Sequence, residues 1–213
     1  NIEISVRGPL AGQLSESPET NLVYKAAQIL TELTDIPKGA KITVSKNIPV
    51  AAGLGGGAAD AAAAIQALCK LWNVGLDDRV LAAIALSLGS DVPACLLSET
   101  AQISGFGEIL KPVPEFPKNL HLVLVNPGIK LLTKSVYEGF RGPFKGTKSI
   151  SLFPTNPTNL PAFLQQCSND LSESAKELCP DIIEVLDARI PEASSNPLIK
   201  DLQRQSKSPR LKV

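Results

Sequence analysis

Four glycines in five positions, Gly53-Leu54-Gly55-Gly56-Gly57, stand directly before an alanine-dense run that begins at Ala58. Residues without a Cβ let backbone N–H groups close on an anion, and a helix starting there adds its partial positive charge. The chemistry this suits is the binding of a nucleotide's phosphates. The loop is not a Walker A loop, since no Lys-Ser/Thr pair follows the glycines. Nor is it a Gly-x-Gly-x-x-Gly fingerprint with a ribose-binding acid about twenty residues on, which argues against a dinucleotide-dependent oxidoreductase. A flexible turn that lets the helix pack tightly would use the same glycines.

Other residues carry weaker signals. Asp91 follows Gly89-Ser90 and precedes Val92-Pro93, a place where a carboxylate either sits rigidly at the rim of a cleft or caps a turn. Lys46, three residues before Pro49, has the reach to touch a nucleotide or to point into solvent. Asp60, one turn into the alanine run, suits the helix dipole better than catalysis. Tyr137, one of two tyrosines, offers a ring to stack on a base or to pack in a core. The single histidine, His121, lies in Leu120-His121-Leu122-Val123 and reads as a strand residue. Cys69, Cys95, Cys167 and Cys179 show no paired metal or redox spacing and read as reduced, structural thiols. No protein metal ligand is assigned.

The elements that must position these residues are legible from periodicity. Ile2, Ile4 and Val6 alternate with polar residues as in a strand. Asn21 precedes apolar residues at helical spacing through Leu33, with Pro37 and Gly39 as stops. Residues 41–45 alternate as a second strand that feeds the glycine loop. The alanine run predicts a helix over 58–72 with Gly75 just past its end, and a further helix runs from Asp77 or Asp78 to Leu88, stopped by Gly89. Beyond residue 100 the pattern turns to strands, 101–104 and 120–126, with Gly105-Phe106-Gly107 and Pro127-Gly128 as turns. Residues 153–161 read as a loop. Ser168-Asn169-Asp170-Leu171 opens a helix that Pro180 interrupts and that resumes through Leu186. From Pro191 the chain is serine-rich and basic, as in a frayed tail. No internal repeat is present.

Composition narrows the partners. With 213 residues, 44% apolar, 20% charged and 21 basic side chains against 21 acidic, the chain has neither the profile of disorder nor a nucleic-acid field, so a small molecule is the default partner. The longest apolar stretch, 48–68, is broken by Asp60 and four glycines, which is no bilayer-spanning pattern, and the reading is of a soluble chain. The chain has no methionine and begins inside a strand, so it reads as a fragment of a longer protein.

Taken together, Lys46-x-x-Pro49-x-Ala51-Ala52-Gly53-Leu54-Gly55-Gly56-Gly57-Ala58-Ala59-Asp60-Ala61-Ala62 and Leu88-Gly89-Ser90-Asp91-Val92-Pro93 resemble the GHMP kinase superfamily. Further stretches agree in order: Asn21-Leu22-Val23, Gly105-Phe106-Gly107-Glu108, Val125-Asn126-Pro127-Gly128, Thr133 with Tyr137, and Ser168-Asn169-Asp170-Leu171. The likeness covers about residues 1–188. It implies an α+β, two-domain fold, an N-terminal domain like domain 2 of ribosomal protein S5 over residues 1–100 and a ferredoxin-like C-terminal domain over 101–213, incomplete at both ends, with the substrates in the cleft between. It further implies ATP-dependent phosphoryl transfer, with Mg²⁺ held mainly by the nucleotide, to the C2 hydroxyl of a cytidine-diphosphate-linked methylerythritol. The compartment implied is bacterial cytoplasm or plastid stroma.

By matching position, Gly53, Leu54, Gly55, Gly56, Gly57 and Ala58, with Pro49 and Ala52 before them, would bind the triphosphate. Asn21 and Lys46 would lie near the adenine end. Asp91 resembles the residue that accepts or orients the hydroxyl proton, and Thr133 and Tyr137 resemble cytidine-side contacts, Tyr137 as the stacking aromatic. A homoserine- or mevalonate-type GHMP kinase and a catalytically dead nucleotide-binding remnant stay open beside this reading.

The chain also departs from the family. Relatives commonly carry serine where Ala58 stands. A Pro-Ala-Lys-Ile-Asn-like strand, whose lysine sits beside the catalytic aspartate, and a Gly-Tyr-His-like cytidine segment are absent. So is a late glycine-rich loop, Gly146 being the last glycine, and the sequence from Arg189 onward is unlike the family. Truncation at both ends or an altered reading frame near the C-terminus would account for this, and little or no turnover by this chain is the expectation.

Overall fold

The structure, a computed structural model, describes residues 1–14, 17–34, 39–113, 128–145 and 154–181. β1 (Ile2–Arg7) and β2 (Ala40–Ser45) pair in parallel, from Ile2 opposite Ala40 to Arg7 opposite Ser45. Their alternation sends Ile2, Ile4, Val6, Ile42 and Val44 inward, while Ser5 bonds Thr43 at 3.0 Å and Arg7 Nε donates to Ser45 Oγ at 3.2 Å on the outer face. Parallel strands need a crossover, and α1 (Leu22–Thr34) supplies it. Asn21 caps α1 as expected, its Oδ1 accepting from Val23 N at 2.9 Å.

α2 (Gly56–Trp72) lies against α1 through small residues. Ala26, Ala27 and Leu30 of α1 meet Ala61, Ala62, Ile65, Leu68 and Trp72 of α2 in one buried cluster. α2 ends at Trp72 as expected, but Asn73 and not Gly75 closes it: at φ 56 it takes the left-handed position and its N–H donates to Cys69 O and Lys70 O. Asparagine tolerates that conformation because its short polar side chain bonds locally. α3 (Asp78–Leu88) starts at Asp77, whose carboxylate accepts from Arg79 N at 2.7 Å, and stops at Gly89. A short helix with no counterpart in the sequence pattern, α4 (Val92–Leu97), follows with proline in its first turn and closes the cluster with Val92.

β3 (Ala101–Ser104) is antiparallel to β4 (Ile109–Pro112), which the sequence reading also left unassigned. α5 (Thr133–Gly139), α6 (Leu160–Leu164) and α7 (Ser172–Leu178) come next. The predicted loop over 153–161 therefore contains a 3₁₀ turn, Pro157–Asn159, and the start of α6. Buried Ser174 of α7 donates to Val136 O of α5 at 2.7 Å, and Gly139 is glycine where a Cβ would meet Ser174 Oγ at 2.6 Å. Strand 120–126 with His121, the resumption to Leu186, Gly146 and the basic tail lie outside the described residues. Among the described residues no helix is long and apolar enough to cross a membrane.

Candidate functional site

The site grows from the carboxyl ends of the parallel strands. Lys46 follows β2 directly, donating its amide to Arg7 O at 2.7 Å and accepting from Leu10 N at 3.3 Å. Gly8, at φ +108, makes this approach feasible, because a Cβ there would lie 2.6 Å from Lys46 O. The loop beyond is held by Val50 N donating to Gln13 Oε1 at 3.0 Å. It then visits left-handed backbone at Ala51, Gly53 and Gly55, with φ of 58, 72 and 67. Two of the three are glycine; at Ala51 the conformation costs about 1 to 2 kcal/mol.

Gly55 ends the loop at the position before α2 and has no side chain to cap it. The first bond into the helix is Ala59 N to Gly55 O, 3.0 Å. The amides of Gly56, Gly57 and Ala58 precede that bond, so three donors stand without helical acceptors at the positive end of a 17-residue helix. Tight packing does not explain these glycines. A Cβ on Gly53 or Gly55 would meet nothing within 4 Å, and one on Gly57 would touch Leu22 Cδ1 at an ordinary 3.8 Å. Gly53 and Gly55 serve the backbone conformation; Gly56 and Gly57 leave the amides uncovered.

Lys46 is 7% exposed, and its Nζ lies 3.7 Å from Asp60 Oδ2. A Cβ on Gly56 would sit 3.5 Å from that same Nζ, which puts the ammonium beside the bare amides. Asn21, Lys46, Gly57 and Asp60 line one cavity of about 250 Å³, whose apolar wall includes Val6 and Val44. Three of the residues singled out for nucleotide binding are thus brought together. Pro49, Ala52, Gly53, Leu54, Gly55 and Gly56 form the approach loop and helix start outside its lining, and Ala58 is buried on the core side of α2. Asp60, weighed in sequence only as a dipole charge, is Lys46's ion-pair partner.

Asp91 occupies the N-cap position of α4 without capping it, and its side chain is exposed. Its charge reaches Cys95 one turn on: burial, and after it the Asp91 carboxylate, pushes the Cys95 thiol up from its ordinary range. Burial alone does the same to Cys69. Both thiols are therefore poor nucleophiles near neutrality. The turn between β3 and β4 braces Asp91 from behind. Gly107, at φ +108, lies against Ser90 O, where any Cβ would overlap it, and Phe106 N donates to Glu108 Oε2 at 2.6 Å. Phe106 itself is 85% exposed. This bracing was not foreseen, although Gly105-Phe106-Gly107 was read as a turn.

Asp91 is not part of the cavity lining around Lys46. Thr133 and Tyr137 stand on one exposed face of α5, four residues apart, and likewise lie outside that lining. Among the described residues no group of three or more His, Cys, Asp or Glu side chains is placed to hold a metal ion.

Residues 21–99 match the family described as GHMP kinases N terminal domain. A 4-diphosphocytidyl-2-C-methyl-D-erythritol kinase of Paramagnetospirillum magneticum is 41% identical over 187 residues, covering 88% of this chain and 65% of the relative. One from Parvibaculum lavamentivorans is 40% identical over 195 residues, with the same 88% and 65%. The chain thus spans 65% of the length of these relatives. A crystal structure of 4-(cytidine 5'-diphospho)-2C-methyl-D-erythritol kinase superposes with a TM-score of 0.52 at 31% identity, over 84% of this chain and 62% of that one. Homoserine kinase from Cytophaga hutchinsonii, 20% identical, superposes with a TM-score of 0.54 over 68% of this chain and 49% of its own, a likeness of fold.

Proposed function

From its likeness to the GHMP kinases, matched over residues 21–99, we propose that this chain carries the nucleotide site of an ATP-dependent small-molecule kinase. The acceptor is the 2-hydroxyl of 4-diphosphocytidyl-2-C-methyl-D-erythritol, in isoprenoid precursor synthesis. One observation carries the reading: three bare amides at the head of α2, beside the buried ammonium of Lys46 and a cavity that Asn21 and Gly57 share. Such a constellation binds polyphosphate. The names of the relatives support the acceptor.

In this mechanism Gly56, Gly57 and Ala58 meet the phosphates through their N–H groups, with Gly53, Leu54 and Gly55 giving the loop its shape and Pro49 and Ala52 leading into it. Asn21 serves the adenine side, and Lys46 reaches from there to the phosphates, its ammonium beside Gly56. The acceptor oxygen forms a bond to the γ-phosphorus as the bond to the ADP oxygen breaks, and Asp91 takes or orients the hydroxyl proton. Positioning and charge stabilisation dominate such transfers, so a fixed carboxylate and preorganised amides suffice for the protein's share. Thr133 and Tyr137 hold the cytidine, Tyr137 by stacking. Mg²⁺ bound with the nucleotide, and held mainly by it, would supply charge neutralisation at the transferred group. Residues 1–100 form the nucleotide-binding domain and 101–213 the second domain, with the cytoplasm as the working compartment.

The test offers ATP and a panel of alcohols to the chain, with nucleotide binding followed by calorimetry and transfer by product mass. Nucleotide binding, with phosphate on the cytidyl acceptor alone and at the low turnover expected of this chain, is the expected result. Transfer to homoserine or mevalonate instead would assign another GHMP kinase. Nucleotide binding with no transfer to any alcohol would leave a binding remnant, and no nucleotide binding would remove the reading altogether.

A further inference from the structure

The head of α2 carries two positive features side by side, the bare amides and the Lys46 ammonium, and these repel each other. A buried ammonium needs an anion to stay. Among the described residues, Asp60 is the carboxylate that ion-pairs with Lys46, at 3.7 Å. That separation exceeds a charge-assisted hydrogen bond, so Asp60 offsets the charge while leaving the lysine's N–H donors unspent. The two residues belong to different elements. Lys46 is pinned through its backbone to Arg7 and Leu10, whereas Asp60 rides on α2, one turn past Gly56. The pair therefore ties the carboxyl end of the β1–β2 sheet to the helix start. Asp60's side chain is 40% exposed, against 9% for that of Lys46, so the carboxylate can act from the cavity edge without filling it.

We propose that Asp60 is the positioning residue of the nucleotide cavity, holding Lys46's ammonium against the head of α2 with its donors open to the ligand. This rests on the reading that the cavity takes ATP. Asp60 acts through Lys46 and makes no contribution of its own to nucleotide affinity.

The experiment is a double-mutant cycle on ATP dissociation constants, using the chain, Asp60→Asn, Lys46→Met and the double variant, with thermal unfolding to verify folding. Asp60→Asn should weaken ATP about tenfold, within the range for directly coupled residues. The double variant should bind no more weakly than Lys46→Met alone, and Asp60→Glu should restore most of the loss. Equal or tighter binding by Asp60→Asn, or losses that simply multiply in the double variant, would overturn the proposal. Hydrogen exchange at the Lys46 ammonium, followed by ¹⁵N NMR without nucleotide, gives a readout independent of function. Asp60→Asn should accelerate it, and an unchanged rate sinks the positioning role. If the unmodified chain binds no ATP, the functional reading fails, while the tie between Asp60 and Lys46 is still decided by that exchange rate.

Discussion

Gly107 is pressed against Ser90, so close that a β-carbon on the glycine would overlap the serine's carbonyl oxygen. The hairpin turn thereby sets the backbone immediately before Asp91. Gly107→Ala meets both this overlap and a left-handed φ of +108, and should destabilise the chain by about 1 to 3 kcal/mol. Differential scanning calorimetry would register the loss. Phosphate transfer should fall further than ATP affinity, since the displaced group is the carboxylate and not the phosphate loop. Phe106→Ala, on the same turn but facing solvent, should stay within about 0.5 kcal/mol of the parent.

Gly56→Ala separates stability from binding. Gly56 has no left-handed φ, and an added methyl would meet only Lys46 Nζ at 3.5 Å and Ile48 Cγ2 at 4.0 Å. Replacing a helical glycine under such conditions stabilises by about 0.4 to 1 kcal/mol through the unfolded chain. The same methyl crowds the space between the bare amides and the ammonium. A melting temperature equal to or above the parent's, with ATP affinity reduced about tenfold, or 1.4 kcal/mol, is the expected pair of results. Equal affinity would show that nucleotide does not sit there.

Asn21 has two tasks, capping α1 and lining the cavity. Asn21→Ala should lose the cap, about 1 kcal/mol, together with nucleotide affinity. Asn21→Ser keeps a capping oxygen and removes the amide, so denaturant midpoints should remain near the parent while affinity for ATP drops. Unchanged affinity in the serine variant would assign Asn21 to the cap alone.

The Cys95 thiol reports on Asp91. Its pKa is raised by burial and then by the Asp91 charge. Asp91→Asn removes the second cause, so the thiolate forms at lower pH and iodoacetamide should label Cys95 faster at a fixed mildly alkaline pH. Peptide mapping distinguishes Cys95 from the other cysteines. The pH–rate curve should shift to lower pH while keeping its shape; a shift upward or none would mean that the carboxylate does not face α4.

Much of this architecture can be read from residue pattern. β1 and β2 alternate over six residues each, and α1, α2 and α3 repeat at helical spacing over 11 to 17. α4 and α6 escaped because each is five or six residues long with a proline in its first turn. Proline reads as a breaker in sequence, yet the first helical turn has no amide bond for it to lose. β4 escaped because its four residues have hardly any apolar face, with only Leu110 partly buried. At the site, the glycine loop and Asn21 were legible as local chemistry. The pairing of Lys46 with Asp60 was not, since it depends on how β2 meets α2. Nor was the contact of Gly107 with Ser90, which exists only once the hairpin folds back.

The parallel register of β1 and β2 has a kinetic corollary. Arg7 and Lys46 are neighbours across the whole intervening crossover, so the pocket rim is assembled from segments distant in sequence and must close a long loop to exist. No partly folded species lacking that closure can hold the nucleotide. Ligand occupancy and completion of the fold are then linked equilibria, and saturating ATP should slow the chain's unfolding and raise its melting point in proportion to the logarithm of ligand concentration.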